Sequence, residues 1–190
     1  MSGLADRIIK THLPKPKYKI IDLIAKRWSP RNYLDTKIPK SDIQKMFEAA
    51  RWAPSAHNSQ PWYFYWAQKP TKSYQKLFSS LDPYNQAWAE TASLLILACV
   101  DLKEKSKYAH YDLGQATFSL VLQAHSLGYY CRQMAMFYKK KVQKLINKNH
   151  EPYIIIAIGK LGDNKNVPEK VLENELDPRP RKEKISEELK

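Results

Sequence analysis

Two short apolar runs constrain the fold of this chain more than any other feature. Residues 94–100 read LLILACV and residues 153–158 read YIIIAI. Short runs of aliphatic and β-branched residues without polar alternation are typical of strands that are buried on both faces. A sheet that contains such strands needs a covering layer on each side, so the rest of the chain must supply helices for both faces.

Helical and strand patterns follow one another along the rest of the chain. Ser41 and Gln44 have the spacing of a capping box, which predicts a helix that begins there and ends before Pro54. Gly128 is placed to end a long helix, and a turn is predicted at residues 82–83. The predicted helices cover residues 20–28, 41–53, 74–81, 113–127 and 139–148, and further strands cover residues 62–67 and 129–133. The order of elements is mixed α and β.

Size and charge limit the classes of function. A chain of 190 residues is expected to form one domain, residues 1–190, with a core of its own. From about residue 162 to residue 190 the sequence is charged and contains proline without an apolar period, so this tail is expected to lie outside the monomer's central core. The net charge of +13 raises nucleic acid as a partner. A basic nucleic-acid-binding module therefore stays open as the alternative class, although the lysine cluster at residues 139–148 has the spacing of a solvated helix face.

Several other kinds of site are not indicated by the sequence. Cys99 and Cys131 lie in apolar surroundings without C-x-x-C spacing, which predicts two buried thiols. The five histidines lack metal-ligand spacing, so no metal is expected. The first ten residues lack the apolar core of a signal peptide, and no apolar run approaches the roughly 20 residues that span a membrane. A cytoplasmic protein without a membrane partner is the expectation.

The most informative segment is APSAHNSQPW, residues 53–62, between a predicted helix and a predicted strand. Two prolines bracket small polar residues and an asparagine, which suits a tight loop with exposed backbone groups and side-chain amides. Such a loop can meet a flat polar ligand. Alone, the segment is also compatible with an ordinary helix-to-strand connection.

A second segment, RWSPR at residues 27–31, carries two guanidinium groups on either side of a hydroxyl. Arginine offers a rigid fork of donors that matches phosphate oxygens, and a serine hydroxyl can add another hydrogen bond. The segment therefore indicates phosphate binding. Alone, an R-x-S-x-R pattern is also common on solvated surfaces.

Together, in this order and at this spacing, the two segments resemble the nitroreductase family. That family has an N-terminal R-x-S-x-R/K-x-[FY] loop, then a helix, then A-P-S-x-x-N-x-Q-P-W. The similarity continues in collinear order through Asn85, through the helix between Tyr111 and Gly128, and to Arg179 and Arg181 in the tail. It covers most of the chain.

The resemblance implies an α+β fold with a central mixed sheet flanked by helices. It also implies an intertwined homodimer with FMN at the subunit interface, in which the C-terminal extension, residues 162–190, lies over the partner. The residues that would hold the FMN phosphate and ribityl chain are Arg27, Ser29, Arg31, Arg179 and Arg181. The other subunit would contribute Pro54, Ser55 and Asn58.

The resemblance also assigns residues to the flavin ring. Asn85 would bond the polar edge of the isoalloxazine, and Gln133, Ala135 and Met136 would lie near its N5 position. The family often has a proline, an acidic residue and a glycine near the last three positions, and a lysine near the position of Trp88. Their replacement here predicts a more apolar ring environment, and it weakens any inference about a particular substrate.

The activity that the resemblance implies is transfer of reducing equivalents from NADH or NADPH to a small acceptor such as a nitroaromatic or a quinone. The two substrates would use one pocket in turn, in a ping-pong scheme, and the flavin would carry the chemistry without a catalytic side chain. Asn85 is the candidate for stabilising the reduced ring at its N1 and O2 edge. Dehalogenation, flavin cleavage and ring oxidation on the same fold remain open as alternative flavin chemistries.

Overall fold

The computed structural model describes residues 4–162 and 168–189, in which helices surround a five-stranded sheet. The strands are β1 (Tyr33–Leu34), β2 (Trp62–Gln68), β3 (Leu94–Asp101), β4 (Tyr130–Met134) and β5 (His150–Leu161). The helices are α1 (Leu4–Thr11), α2 (Asp22–Lys26), α3 (Lys40–Arg51), α4 (Lys72–Phe78), α5 (Pro83–Ala89), α6 (Ala109–Ser126), α7 (Lys139–Gln143) and α8 (Glu169–Glu175). The α+β class is confirmed.

The sheet has the strand order β1-β5-β3-β2, and β4 pairs with β5 alongside β1. All of the pairings between described strands are antiparallel. The expectation of a mixed sheet is therefore wrong for the described residues. At least one helix lies in each connection between successive strands, and the paired strands run in opposite directions.

The two apolar runs form the central strands β3 and β5, and each run contributes side chains to both faces of the sheet. On one face, Leu95 and Leu97 join Ile155 in a core that α4, α5, α7 and α8 cover. On the other face, Leu94 and Ile96 join a second core that α3 and α6 cover. Complete burial of one aliphatic side chain stabilises the fold by about 1.5–3 kcal/mol, so β3, which is buried along residues 94–100, anchors both layers.

The starts of two helices differ from the sequence patterns. The predicted capping box is wrong, because α3 begins at Lys40 and its N-cap is Pro39, so Ser41 already lies within the first turn. The predicted turn at residues 82–83 is also wrong. Asp82 is the N-cap of α5, and its carboxylate accepts a hydrogen bond from the backbone N–H of Tyr84 at 3.1 Å.

Two predicted helices are shorter than their sequence patterns. Of the helix predicted over residues 20–28, only α2 (Asp22–Lys26) is helical. The backbone is already extended at Arg27, where φ is −64° and ψ is 129°. Of the lysine-rich helix predicted over residues 139–148, only α7 (Lys139–Gln143) is helical. Of its apolar residues, Val142 is buried and Ile146 packs partly buried against the same core, whereas Leu145 is exposed, so apolar contacts with the core continue after the helix ends at Gln143.

The tail contradicts the expectation that it lies outside the monomer's core. Val171 of α8 is 5% exposed and belongs to the same core as Leu95, with Leu172 packed beside it. One short amphipathic turn contains too few apolar residues to show a period in the sequence, which explains the error. The part of the predicted extension at residues 163–167 lies outside the described residues.

Other local predictions can be compared with the structure directly. Gly128 follows α6 with φ of 81°, the left-handed conformation that favours glycine at a helix end. Cys99 and Cys131 are buried and free, as predicted. Within the described ranges, no helix combines the length and the apolar character that a membrane span requires.

Candidate functional site

Two distant parts of the chain meet in one cleft of about 270 Å³. Residues 152 positions apart, Arg27 and Arg179, are joined there by a hydrogen bond. The cleft brings together all five residues that the sequence assigned to a phosphate group, namely Arg27, Ser29, Arg31, Arg179 and Arg181. Its lining also includes His12, Arg132 and Glu175, which the sequence did not single out. We call it the arginine cleft.

The loop after α2 is held in place by a buried aromatic residue. The ring of Trp28 stacks on His12 with 3.9 Å between centroids, and it meets the edge of Tyr130 at 5.8 Å. With Trp28 turned inward, its two neighbours line the cleft, where Nη1 of Arg27 donates a hydrogen bond to Oγ of Ser29 at 3.2 Å. Trp28 also contributes to the lining of the cleft, so the anchor and its two polar neighbours form one wall.

Arg31 is tied to the C-terminal helix. Its backbone N–H donates to Oε2 of Glu175 at 3.0 Å, and its Nη1 lies 3.4 Å from Oε1. Burial raises the pKa of Glu175, and the contacts with Arg31 oppose that rise. The Nε of Arg31 is buried and has no hydrogen-bond partner among the described groups, so one donor of this guanidinium is left for a ligand.

Arg179 has a different environment from Arg181. The guanidinium of Arg179 donates to three backbone carbonyls, those of Arg27, Ala25 at 3.0 Å and His12 at 3.2 Å. Arg181 is exposed, and the hydrogen bonds of its Nη1 go to the adjacent carbonyls of Arg179 and Pro180. Arg179 therefore holds the end of α2 in position, whereas the charge of Arg181 remains at the mouth of the cleft.

The cleft concentrates positive charge. Burial is the main cause that lowers the pKa values of Arg27, Arg132 and Arg179, and repulsion by neighbouring arginines adds to it in each case. Guanidinium groups that lower one another's pKa values are stabilised when an anion binds between them. The arrangement can hold a compact anion.

Arg132 is one of the cleft residues that sequence reasoning missed. It lies on β4, and its Nη1 donates to the backbone oxygen of Ser29 at 2.5 Å. Its guanidinium lies over the ring of Trp88 at 5.6 Å from the centroid, and Trp88 itself is fully buried. The available signal was a charged residue inside the predicted strand at residues 129–133, YYCRQ.

A second group of predicted residues comes together at the end of β4. Asn85 is 6% exposed, and its Nδ2 donates to Oδ1 of Asp82 at 2.5 Å and to the backbone oxygen of Met136 at 3.2 Å. Gln133 lies on β4, and Ala135 follows it; both are exposed, as is Met136. The structure thus places Asn85 next to the segment that the sequence assigned to the same part of a ligand.

The third predicted group, Pro54, Ser55 and Asn58, lies in a tightly held loop. His57, Asn58 and Gln60 have φ values of 55°, 54° and 49°, in the left-handed region that non-glycine residues rarely adopt. The Ser55 hydroxyl accepts a hydrogen bond from the backbone N–H of Gln60 at 3.0 Å, which helps to fix this conformation. Strained backbone of this kind concentrates at functional sites.

This loop is far from the arginine cleft of its own chain. The backbone N–H of Ala56 donates to Asp112 in the first turn of α6. At the opposite end of that helix, burial lowers the pKa of His125 and the nearby charge of Arg27 adds to the effect. Residues 112 and 125 are separated along the helix axis by about 20 Å, at about 1.5 Å per residue. The loop and the cleft therefore do not meet within one chain.

The chain is similar to known proteins of one family. The nitroreductase family model matches residues 24–160. The chain is 36% identical over 112 residues to a protein of Archaeoglobus fulgidus named "Putative NADH dehydrogenase/NAD(P)H nitroreductase", and 30% identical over 114 residues to a protein of the same name from Methanothermobacter thermautotrophicus. These matches cover 57% and 59% of this chain but only 62% and 58% of the two relatives.

Two solved structures extend the comparison to the fold. One, described as an oxidoreductase containing FMN, has a TM-score of 0.82 and 31% identity, and the match covers 89% of this chain and 91% of that one. A nitroreductase family protein from Clostridium difficile 630 has a TM-score of 0.67 and 26% identity, with 76% and 85% covered. The family match spans the arginine loop, the strained loop and all five strands up to residue 160. On this evidence the chain belongs to the nitroreductase family.

Proposed function

We propose that the protein is an FMN-dependent oxidoreductase that passes reducing equivalents from NADH or NADPH to a small acceptor such as a nitroaromatic or a quinone. The observation that carries this proposal is the arginine cleft, where donors from both ends of the chain converge on one small space. The similar structure described as containing FMN supports the cofactor. The names of the two archaeal relatives support NAD(P)H as the electron donor.

The donors of the arginine cleft fit a phosphate monoester. Arg27, Arg31 and Arg181 offer guanidinium groups, and Ser29 offers a hydroxyl. The unpartnered Nε of Arg31 is a donor that phosphate would satisfy. The volume of about 270 Å³ is below the roughly 300–1,000 Å³ of pockets that enclose small molecules. The cleft would therefore hold the phosphate, and neighbouring residues would hold the ring.

The residues at the end of β4 are our candidates for the ring-binding part of the site. Both hydrogen bonds of the Asn85 side chain are donated by its Nδ2, which leaves Oδ1 to accept a bond from a ring N–H. Gln133, Ala135 and Met136 are exposed beside it and present a mostly apolar border. An apolar border excludes water from a ring face without competing for its polar edge.

When bound, FMN would supply the redox chemistry, taking a hydride from the nicotinamide and giving two electrons to the acceptor, with the second proton of quinone reduction drawn from solvent. The chain's own residues would bind FMN and orient it. Arg27, Ser29 and Arg31 would fix the phosphate end, and Asn85 would fix the ring. Donor and acceptor would use the same face of the ring in turn, beside Ala135 and Met136, which is a ping-pong scheme.

We further propose that each site is completed by a second copy of the chain. The loop that carries Ser55 and Asn58 cannot reach the arginine cleft of its own chain, given the length of α6 between them. Large apolar side chains are exposed near that loop and along α6: Trp52 is 75% exposed, Tyr111 72% and Phe118 40%. Exposed apolar patches of this kind mark interaction surfaces, and a homodimer would cover them.

Absorption spectroscopy of the purified protein, followed by identification of the released flavin, tests the cofactor. We expect a flavin spectrum, release of FMN, and oxidation of NADH or NADPH when a nitroaromatic or a quinone is present. A colourless protein that does not bind added FMN would overturn the flavin proposal, and steeply salt-dependent duplex binding would then favour the nucleic-acid module. A flavin-bound protein that oxidises neither nicotinamide would overturn the reaction and point to another flavin chemistry.

A further inference from the structure

Arg132 connects the two halves of the proposed flavin site. Its Nη1 donates to the backbone oxygen of Ser29 in the arginine cleft. Its guanidinium lies 5.6 Å above the ring of Trp88. Trp88 is on α5, three residues after Asn85, so the two occupy the same face of that helix. The positive charge of Arg132 therefore lies between the phosphate-binding donors and the residue proposed to bind the ring.

The charge of Arg132 is less compensated than those of Arg31 and Arg179. Arg31 is paired with Glu175, and the guanidinium of Arg179 is occupied by three carbonyls. Within residues 4–162 and 168–189, no carboxylate oxygen lies within 4.0 Å of Arg132. Glu175 attracts Arg132 only from beyond that distance. A half-buried cation without a directly paired carboxylate is costly, and an anion placed beside it lowers that cost.

The position of Arg132 favours one source for that anion. The phosphate group is already served by Arg27, Ser29 and Arg181. A reduced flavin ring gains negative charge at its N1 and O2 edge, and preorganised positive charge stabilises charge that develops during a reaction. Resting on the proposed flavin function, we propose that Arg132 contacts this edge of the ring and stabilises the reduced flavin more than the oxidised flavin.

The proposal separates Arg132 from the phosphate-binding arginines in a binding experiment. FMN and riboflavin share the ring and differ in the phosphate. In the full-length protein, Arg132→Gln should weaken binding of oxidised FMN and riboflavin by the same factor. Arg181→Gln is the matched control, because it removes an exposed cation at the mouth of the cleft. It should weaken the binding of FMN more than the binding of riboflavin.

The midpoint potential of the bound flavin provides the second readout. If Arg132→Gln weakens binding of reduced flavin tenfold more than binding of oxidised flavin, the two-electron potential falls by about 30 mV. Arg132→Lys keeps a charge without the planar fork, so its potential should lie between those of the wild type and the glutamine variant. Arg181→Gln should leave the potential unchanged.

Three outcomes would overturn the assignment of Arg132. They are loss of FMN affinity with riboflavin affinity retained, an unchanged midpoint potential in Arg132→Gln, and a potential for Arg132→Lys equal to that of the glutamine variant. If the glutamine variant does not fold, Arg132→Met keeps the length of the apolar stem that packs on Trp88 and is measured instead. Failure of the flavin proposal is distinguishable, because the wild-type protein would then bind no flavin.

Discussion

The carboxylate of Glu175 accepts hydrogen bonds from both the backbone N–H and the guanidinium of Arg31, across 144 positions of sequence. The Glu175 side chain is 1% exposed and that of Arg31 is 16% exposed. This ion pair attaches α8 to the wall of the arginine cleft. It places a negative charge beside a guanidinium that we propose binds phosphate. The helix α8 therefore influences both the stability of the fold and the electrostatic potential in the cleft.

Replacing Glu175 with glutamine should lower the free energy of unfolding. The amide oxygen can still accept from the backbone N–H of Arg31, but the guanidinium loses its buried counter-charge, and hydrogen bonds to charged groups contribute about 1.5–3 kcal/mol. Urea denaturation measures the change. Glu173→Gln, at an exposed position on the same helix, is the control and should change stability by no more than about 0.5 kcal/mol. Equal effects of the two substitutions would contradict the role of the pair.

Stability should also depend on His12 as the pH falls. Its Nε2–H donates to the backbone oxygen of Glu175 at 2.7 Å, whereas its buried Nδ1 has no partner among the described groups. Burial lowers the pKa of His12 from its usual 6.5, because protonation would bury a charge and an unsatisfied donor. The unfolded chain therefore binds this proton more tightly, and stability is lost as the pH falls below about 6.5 toward the folded-state pKa.

His12→Phe retains a ring that can stack on Trp28 but removes the titration. The difference in unfolding free energy between the wild type and this variant should therefore shrink or reverse as the pH is lowered from about 7.5 to about 5.5, the range around the histidine pKa. Denaturation curves at several pH values measure it. A difference that stays constant with pH would show that His12 does not titrate between the folded and unfolded states.

Replacing Arg27 with alanine should reduce FMN affinity far more than stability. Loss of a charge-assisted hydrogen bond to phosphate costs about 1.5–3 kcal/mol, which is about one to two decades in the dissociation constant. Riboflavin lacks the phosphate and should lose less affinity. Arg51→Ala, which removes a surface arginine of α3 paired with Glu48, should change neither. Equal losses of FMN and riboflavin affinity would mean that Arg27 does not bind the phosphate.

Arg179→Ala should affect stability and binding differently from Arg27→Ala. The guanidinium of Arg179 donates hydrogen bonds to the backbone carbonyls of His12, Ala25 and Arg27. We expect the substitution to lower the free energy of unfolding by about 1–3 kcal/mol, because it leaves buried acceptors unsatisfied. It should also weaken the binding of FMN and of riboflavin to the same extent, because the loop after α2 becomes less ordered. Thermal unfolding and fluorescence titration measure the two effects. A selective loss of FMN with unchanged stability would instead make Arg179 a direct phosphate ligand.

Mixed dimers test whether the strained loop acts on the partner's flavin. We expect Arg27→Ala and Asn58→Ala homodimers each to bind FMN weakly. Because the loop and the cleft of one chain lie about 20 Å apart along α6, a heterodimer of the two variants should contain one site with both residues intact and should recover tight binding at that site. Heterodimers isolated with two affinity tags are titrated with FMN. Absence of any tight site would mean that both residues serve the same chain's site.

Much of the fold followed from local patterns. The apolar runs of β3 and β5 identified the two central strands because burial on both faces removes polar alternation, and that loss is visible in a few consecutive residues. Gly128 marked the end of α6 because its left-handed conformation is a requirement of the local backbone. The short helices α2, α7 and α8 were less predictable, because their extent depends on which of their residues pack against the rest of the protein.

The sequence by itself determined the α+β class and, through the spacing of the RWSPR and APSAHNSQPW segments, the nitroreductase family. It determined these because apolar runs and motif spacing are properties of the chain order. Only the tertiary structure decided that Arg132 and Glu175 join Arg27 and Arg31 in one cleft, and that the loop of Ser55 and Ala56 lies at the other end of α6. The physical reason is that these contacts link residues 56 to 144 positions apart, such as Ala56 with Asp112, Arg132 with Ser29 and Glu175 with Arg31. Packing of the sheet between its two helical layers brings these residues together.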